Sequence, residues 1–397
     1  MIVDLSEYES VERALATDHA EALAATNVVR VQRAWSAGSF VITANSIVGN
    51  LRVLEDLQLR VRPKLPVRRV IYLLAHAAGL AAWDDRILDV QDEDPLDVAV
   101  AAAFTYASER SLARGAHSSY YAVEAALNEV RGRLDVADQQ RRFGFPIPVS
   151  VRYDEYGIDV LENQLVLGAA SRVQRLPGLS LDVRRRLRRI VAALDGVRPA
   201  DRQDAIKPVL FTRINRHYEA AVALSRAVLT GRSFDLPPGR RASIGFTVDM
   251  NRLFEAFLSV ALRDALERRY GGRLHAQRHD YLDKESRVTI IPDLTWIRSK
   301  SIAAVVDAKY KALDKRPADP DLYQVVSYCL SLGIRDAYLV HGTASDGPKT
   351  IRVRGGICIH VVVLDLAASL PALRSQIEAL AEEIGCLPAP AEVGMVS

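Results

Sequence analysis

The chain of 397 residues is short of cysteine, lysine and long apolar runs, and each scarcity excludes something. Its three cysteines, Cys329, Cys358 and Cys386, are odd in number and far apart. That argues against a disulfide scaffold or a cysteine metal knuckle and leads us to expect a reducing, cytoplasmic setting. The eight histidines form no H-E-x-x-H pattern or Cys/His array, and no G-x-S-x-G elbow occurs. The longest apolar run, Val70–Trp83, is too short to cross a bilayer and contains His76. It reads as a buried helix, so no membrane partner is expected. The opening MIVDLSEYES is acidic and lacks the basic and apolar regions of a secretory signal. A net charge of +3 excludes a uniformly basic nucleic-acid coat but leaves room for local basic faces.

Lysine is the most informative scarcity. The sequence holds 44 Arg but 8 Lys, and three of the eight stand at Lys309, Lys311 and Lys315. A lysine kept in such a chain marks a place that wants a compact, titratable ammonium rather than a guanidinium.

The length predicts two domains. Residues 1–66 read as short strands, in VVRVQRAW, SFVITANSIVGNLRV and LQLRVRPKLP, broken by Gly38, Gly49 and prolines. From Val67 the pattern turns helical and stays so through VRGRL (Val130–Leu134). The stretch FGFPIPVSVRYDEYG changes character, and the boundary is placed near residue 150. Residues 151–397 form the second domain, with amphipathic helices over 154–230 and a mixed sheet flanked by helices over 240–397. The fold class is therefore α+β to α/β, with a β-rich and helical N-terminal domain.

The segment VTIIPDLTWIRSKSIAAVVDAKYKALDK (Val288–Lys315) carries the chemistry. If its turn centres on Lys300, Asp293 faces Asp307 across an antiparallel ladder, with Cβ atoms roughly 5 Å apart. Asp307 and Lys309 are two apart on one strand, so they share a face. Two close carboxylates repel unless a cation sits between them, and a hard divalent ion solves that problem. Lys309 can orient or deprotonate a water, or stabilise the charge of a phosphoryl transition state. The group fits metal-assisted phosphodiester hydrolysis. The bland reading is a solvated hairpin whose charges mark an exposed edge.

Pro292-Asp293 followed by Asp307-Ala308-Lys309 resembles the motif of the PD-(D/E)xK nuclease superfamily. That superfamily carries a glutamate on the preceding helix, and FTVDMNRLFEAFLSVAL places Glu255 beside its apolar stripe. A Gln-x-x-x-Tyr pair near the metal and the DNA backbone recurs there, and DPDLYQVVSYCLSLG offers Gln324 and Tyr328, with Asp321 as an N-cap. The longer string F-x-V-D-M-N-x-L-F-E … P-D … D-A-K-Y-K … D-L-Y-Q-x-x-S-Y resembles McrC, the nuclease subunit of the McrBC modified-cytosine restriction system. YDEYGIDVLENQLV, RPKLP and VRGRL resemble that family further upstream, and the first forty residues do not.

The resemblance implies a Mg²⁺-dependent endonuclease (Mn²⁺ as the alternative ion), with Asp293, Asp307 and Lys309 catalytic, helped by Glu255 and Gln324. Asp293, Asp307 and Glu255 would be the metal ligands. Tyr328 and Lys311 would contact DNA. Residues 1–150 would dock on a hexameric AAA+ GTPase of McrB type and stimulate it, with Arg131 and Arg133 offered in trans. A catalytically inactive adaptor and a stand-alone nuclease are the alternatives. GTASDGPKT nearly spells a P-loop, but Pro348 intervenes and strand follows, so it reads as a turn. The arginines of DVRRRLRRI (Asp182–Ile190) either track phosphates or form a solvated helix face.

Overall fold

The computed structural model describes residues 1–79, 95–141, 147–230, 244–311, 317–342 and 350–387. The chain divides into two compact units. Unit 1 comprises Met1–Gly79, Gln91–Leu96 and Pro237–Ser397, and unit 2 comprises Leu80–Val90 and Asp97–Leu236. Along the first segment run β1 (Ile2–Ser6), β2 (Ser10–Ala14), α1 (Thr17–Ala25), β3 (Val29–Arg33), β4 (Ser39–Ala44), β5 (Ile47–Arg52), β6 (Gln58–Arg62) and α2 (Val67–Ala77). Unit 2 follows with α3 (Leu96–Leu112), β7 (Ser119–Leu127), β8 (Arg133–Leu134), α4 (Val136–Arg141), β9 (Val149–Gly157), α5 (Leu161–Val173), α6 (Leu181–Ala193) and α7 (Glu219–Thr230). The chain re-enters unit 1 at β10 (Ile244–Asp249) and α8 (Met250–Tyr270). It continues through β11 (Arg273–Ala276), β12 (Asp280–Tyr281), β13 (Thr289–Ile290), β14 (Leu294–Arg298), β15 (Ser301–Lys309) and α9 (Asp319–Leu332). It ends with β16 (Asp336–His341), β17 (Thr350–Val353), β18 (Ile357–Val363) and α10 (Leu370–Gly385).

The main sheet of unit 1 has the order β11-β14-β15-β16-β18-β17, parallel between β15 and β16 and between β16 and β18, antiparallel elsewhere. Its parallel strands carry the apolar runs AAVV (Ala303–Val306) and AYLV (Ala337–Val340), as strands covered on both faces require. One face packs α9 through Val325, Tyr328 and Cys329 against Val305, Leu339 and Ile359. Over the other lies α8, where the Phe254 ring meets Tyr310 at 6.4 Å. Helix α8 starts because the Asp249 carboxylate accepts a hydrogen bond from Asn251 N at 3.1 Å. Its buried Leu253, Phe254, Phe257, Leu258 and Leu262 each contribute roughly 1.5–3 kcal/mol of burial. Helix α9 has Pro320 in its first turn and stops at Gly333, whose φ of 66° is left-handed.

Two of the sequence expectations are corrected here. Residues 1–79 do not belong with a docking domain ending at 150. Strands β1, β6 and β5 form one sheet with β10, in the order β1-β6-β5-β10, so they are part of unit 1. Gly49 makes that pairing close: a Cβ there would lie 2.1 Å from Phe246 O, and its φ is 137°. Residue 150 itself lies inside β9, which pairs with β7 along its whole length. The second correction is β7. Its Ala- and Glu-containing sequence SYYAVEAAL reads as helix, but pairing with VSVRYDEYG makes it a strand. Helix α3 ends at Leu112, so Arg131 and Arg133 are not at its end. They lie just past β7 and on β8, beside Gly132, where a Cβ would meet Arg152 O at 2.3 Å. Loop Gly231–Arg241, Leu80–Trp83, Lys315 and most of GTASDGPKT lie outside the described residues.

Candidate active site

The hairpin of β14 and β15 turns at Ser299 and Lys300, both with positive φ (52° and 66°), a two-residue turn of the kind that suits hairpin twist. Ile297 pairs with Ile302, but Trp296 pairs with Ala304, so Ala303 is an extra residue in a bulge. Beyond the bulge Leu294 faces Val306. The register therefore places Asp293 level with Asp307, by a turn and a bulge rather than by a turn centred on Lys300. Asp293 Oδ2 accepts a hydrogen bond from Ala308 N at 2.9 Å, which ties the two strands at the site.

Asp307 is fully buried, and Lys309 Nζ lies 2.7 Å from its Oδ2. Apart from this ion contact neither carboxylate oxygen has a hydrogen-bond donor among the described residues. Burial, and then the charge of Asp293, push its pKa up to about 6. Burial likewise raises Asp293 and raises Glu255, the latter also through Asp293. Burial by itself would depress Lys309, but the adjacent Asp307 carboxylate outweighs it and the ammonium is held above its ordinary range.

Around Lys309 the side chains form a chain of support. Its Nζ donates to Gln324 Oε1 at 3.2 Å, Gln324 Nε2 donates to Tyr328 Oη at 2.7 Å, and Tyr328 donates to Ile291 O at 3.3 Å. Tyr328 is 3% exposed and braces Gln324, and burial lifts its pKa to about 12. Lys311 Nζ lies 2.7 Å from Asp321 Oδ2, and Asp321 Oδ1 is 4.0 Å from Lys309 Nζ. Asp321 therefore serves the two lysines; the N-cap of α9 is Ala318, and Asp321 lies inside the first turn. His341, level with Lys309 on β16, donates from Nδ1 to Lys311 O at 3.3 Å and is held below its ordinary pKa by burial.

A residue that the sequence did not single out joins the carboxylates. Gln277 Nε2 donates to Glu255 Oε1 at 2.6 Å and to Asp293 Oδ1 at 3.2 Å. Its backbone is left-handed, with φ of 49°, and its N–H bonds Asp293 O at 2.9 Å. A second unforeseen group is Glu7, 1% exposed, which accepts from Tyr310 Oη at 2.9 Å directly after β15. Arg131 stacks over Tyr153 at 4.1 Å in unit 2, with Glu155 3.9 Å away.

The donor set suits a hard cation: it is all oxygen, and Asp307 offers a buried carboxylate short of donors. The cage is not closed, however. Among the described residues no three His, Cys, Asp or Glu side chains converge as metal ligands, and Gln277 occupies Glu255 and Asp293.

Comparison with known proteins agrees with the sequence resemblance. The model of the family described as "McrBC 5-methylcytosine restriction system component" matches residues 42–342. This chain belongs to that McrBC family. The matched span includes Glu255, Gln277, Asp293, Asp307, Lys309 and Gln324. No curated protein matches the chain. A chain in the refined half-complex from a tetradecameric assembly of Thermococcus gammatolerans McrB AAA+ hexamers with bound McrC has a similar fold. The likeness spans 97% of this chain and 100% of that one, at 19% identity and a TM-score of 0.58. A chain of the Thermococcus gammatolerans McrBC complex is similar over 67% of this chain and 88% of that one, at 21% identity and a TM-score of 0.40. No helix among the described residues of this McrBC component is long and apolar enough to cross a membrane.

Proposed function

We propose that this McrBC component is the Mg²⁺-dependent endonuclease subunit, of McrC type and PD-(D/E)xK fold, of a modification-dependent restriction complex acting on DNA in the cytoplasm. The observation that carries the reading is Asp307, fully buried, its carboxylate short of donors, beside Lys309 and level with Asp293. Such a carboxylate costs the fold stability, because the one ion pair with Lys309 offsets its burial only in part.

Asp293 and Asp307, with Glu255 alongside, would hold the ion, which when bound supplies a Lewis acid and an acidified water. Lys309 stays cationic beside Asp307 and offsets the charge that grows on the phosphate oxygens. Gln324 and Tyr328 fix its direction. Hydrolysis forms one P–O bond to water oxygen and breaks another, and the leaving oxygen ends protonated. The test is cleavage of duplex DNA by the purified protein, with and without a partner, in Mg²⁺ and in EDTA. Asp307→Asn should remove cleavage, and cutting by that variant in Mg²⁺ would overturn the site.

The partner in this reading is a hexameric AAA+ GTPase of McrB type; the complex of similar fold holds McrB AAA+ hexamers. Unit 2 would dock on it through the β7–β9 ribbon, whose end exposes Val130, Leu134, Val136 and Ile147 near Arg131 and Arg133. The open ligand set favours one second reading, a catalytically silent activator of the ring. Stimulated NTPase without any Mg²⁺-dependent cleavage would select it.

A further inference from the structure

Charge is unevenly distributed along unit 2. Residues 175–216 hold eleven Lys and Arg against four Asp and Glu, a balance of +7 in a chain whose whole net charge is +3. Helix α6 is the densest part. Its apolar face, Val183, Leu187 and Ile190, is buried, and Ser180 caps its start by accepting from Val183 N at 3.2 Å.

Its five arginines divide into two kinds. Arg186 bonds Glu109 Oε2 at 2.6 Å and lies 3.7 Å from Asp182. Arg184 donates to the carbonyls of Leu176 and Leu179, closing the turn before the helix. These two are used by the fold. Arg185, Arg188 and Arg189 are exposed, and none has an ion pair or hydrogen bond among the described residues. They stand at i, i+3 and i+4, neighbours on one face with Cβ atoms roughly 5–6 Å apart. Like charges at that spacing repel and weaken a helix, so the fold gains nothing from the arrangement. A polyanion crossing the face would turn the repulsion into attraction and release counterions.

We infer that the Arg185, Arg188 and Arg189 face of α6 is a sequence-independent binding surface for the phosphate backbone of duplex DNA. It lies on the unit that does not carry the carboxylates. The surface rests on the reading of this chain as a DNA-cutting subunit and adds a second DNA contact to it. Guanidinium forks suit phosphate oxygens, and three of them on one stripe can follow one strand without reading bases.

The experiment is fluorescence anisotropy of a labelled duplex with the full-length protein in EDTA, so that binding is read apart from cleavage. The salt dependence is compared for the unchanged protein, R185A/R188A/R189A and R185K/R188K/R189K. Alanine favours helix, and a matching circular dichroism melt checks that α6 persists. The alanine variant should lose at least ~10-fold in affinity at 0.1 M salt and flatten the log–log salt slope by about 2–3, near 0.9 per phosphate. The lysine variant should keep most of both. An unchanged slope, or no duplex binding by the unchanged protein at low salt, overturns the inference. So does loss of complex formation with a hexameric AAA+ partner at unchanged DNA affinity, which would make the face a protein-docking surface. Cleavage in Mg²⁺ is scored separately. Cutting by the unchanged protein with an unaltered slope in the variant sinks this face alone, and a flattened slope without cutting sinks the nuclease site alone.

Discussion

Replacing Asp307 by Asn removes a carboxylate that the fold buries completely, and the metal-free protein should become more stable while losing activity. Burial and Asp293 move the Asp307 pKa from 3.8 to about 6, a rise of roughly two units. At 1.36 kcal/mol per unit this is about 3 kcal/mol set against the folded state. The sign follows from proton uptake. A folded carboxyl with the higher pKa binds its proton first, so the stabilisation is full below about pH 4 and is lost as pH rises through 6. Asn fits the same space without the charge, but Lys309 then loses its 2.7 Å partner, which offsets part of the gain. A net gain of about 1–3 kcal/mol, or ~2–6 °C in Tm for a unit of this size, is expected in EDTA at pH 8. The assay is differential scanning fluorimetry from pH 8 to 5, repeated with Mg²⁺. The unchanged protein should gain on the variant as pH falls, and Mg²⁺ should stabilise it more than the variant. A variant less stable than the unchanged protein in EDTA at pH 8 would refute the reasoning.

Lys309→Arg should keep the fold but lower cleavage by ~10²-fold or more, since the guanidinium cannot repeat the contact geometry with Asp307 and Gln324; near-normal rates would contradict the role. Gln277→Ala should lower cleavage by about 10–100-fold, as for a lost supporting contact behind ligands, with Mg²⁺ titrations showing weaker half-saturation. Tyr310→Phe, which removes one of two donors to Glu7 Oε1 and leaves the Lys64 N–H, should cost about 0.5–1.5 kcal/mol in urea unfolding. Arg131→Ala with Arg133→Ala should lower the partner's stimulated NTPase rate while leaving cleavage of short DNA by this chain unchanged, read by phosphate release. A fragment of residues 151–397 should fail to fold, as judged by circular dichroism, because it lacks β1, β5 and β6.

What the sequence made legible was local. Asp307 and Lys309 share a face by the period of a strand, and the aliphatic runs around them mark a covered sheet. The level of Asp293 with Asp307 was also readable, although a bulge at Ala303 rather than the turn alone produces it. Gln277 was not readable, because its place depends on one left-handed residue that reaches carboxylates on two other elements. Asp321 looked like a cap and pairs instead with Lys311, a choice made by the packing of α9 beside β15. β7 was misread because Ala and Glu favour helix locally and only β9 overrides them. The domain boundary failed for the same reason at longer range: nothing near Ile47–Arg52 announces a partner at Ile244–Asp249.

That last pairing also bears on synthesis. Strand β5 leaves the ribosome long before β10 exists, and roughly 190 residues at ~5–20 residues per second separate them by about 10–40 s. During that interval β1, β5 and β6 wait with one sheet edge open, a natural client surface for chaperones. The carboxylates and Lys309 are made later still, on strands that come after the sheet has closed. A nascent chain therefore has no assembled carboxylate cluster, and a message broken between the end of unit 2 and β10 yields unit 2 with orphaned strands ahead of it.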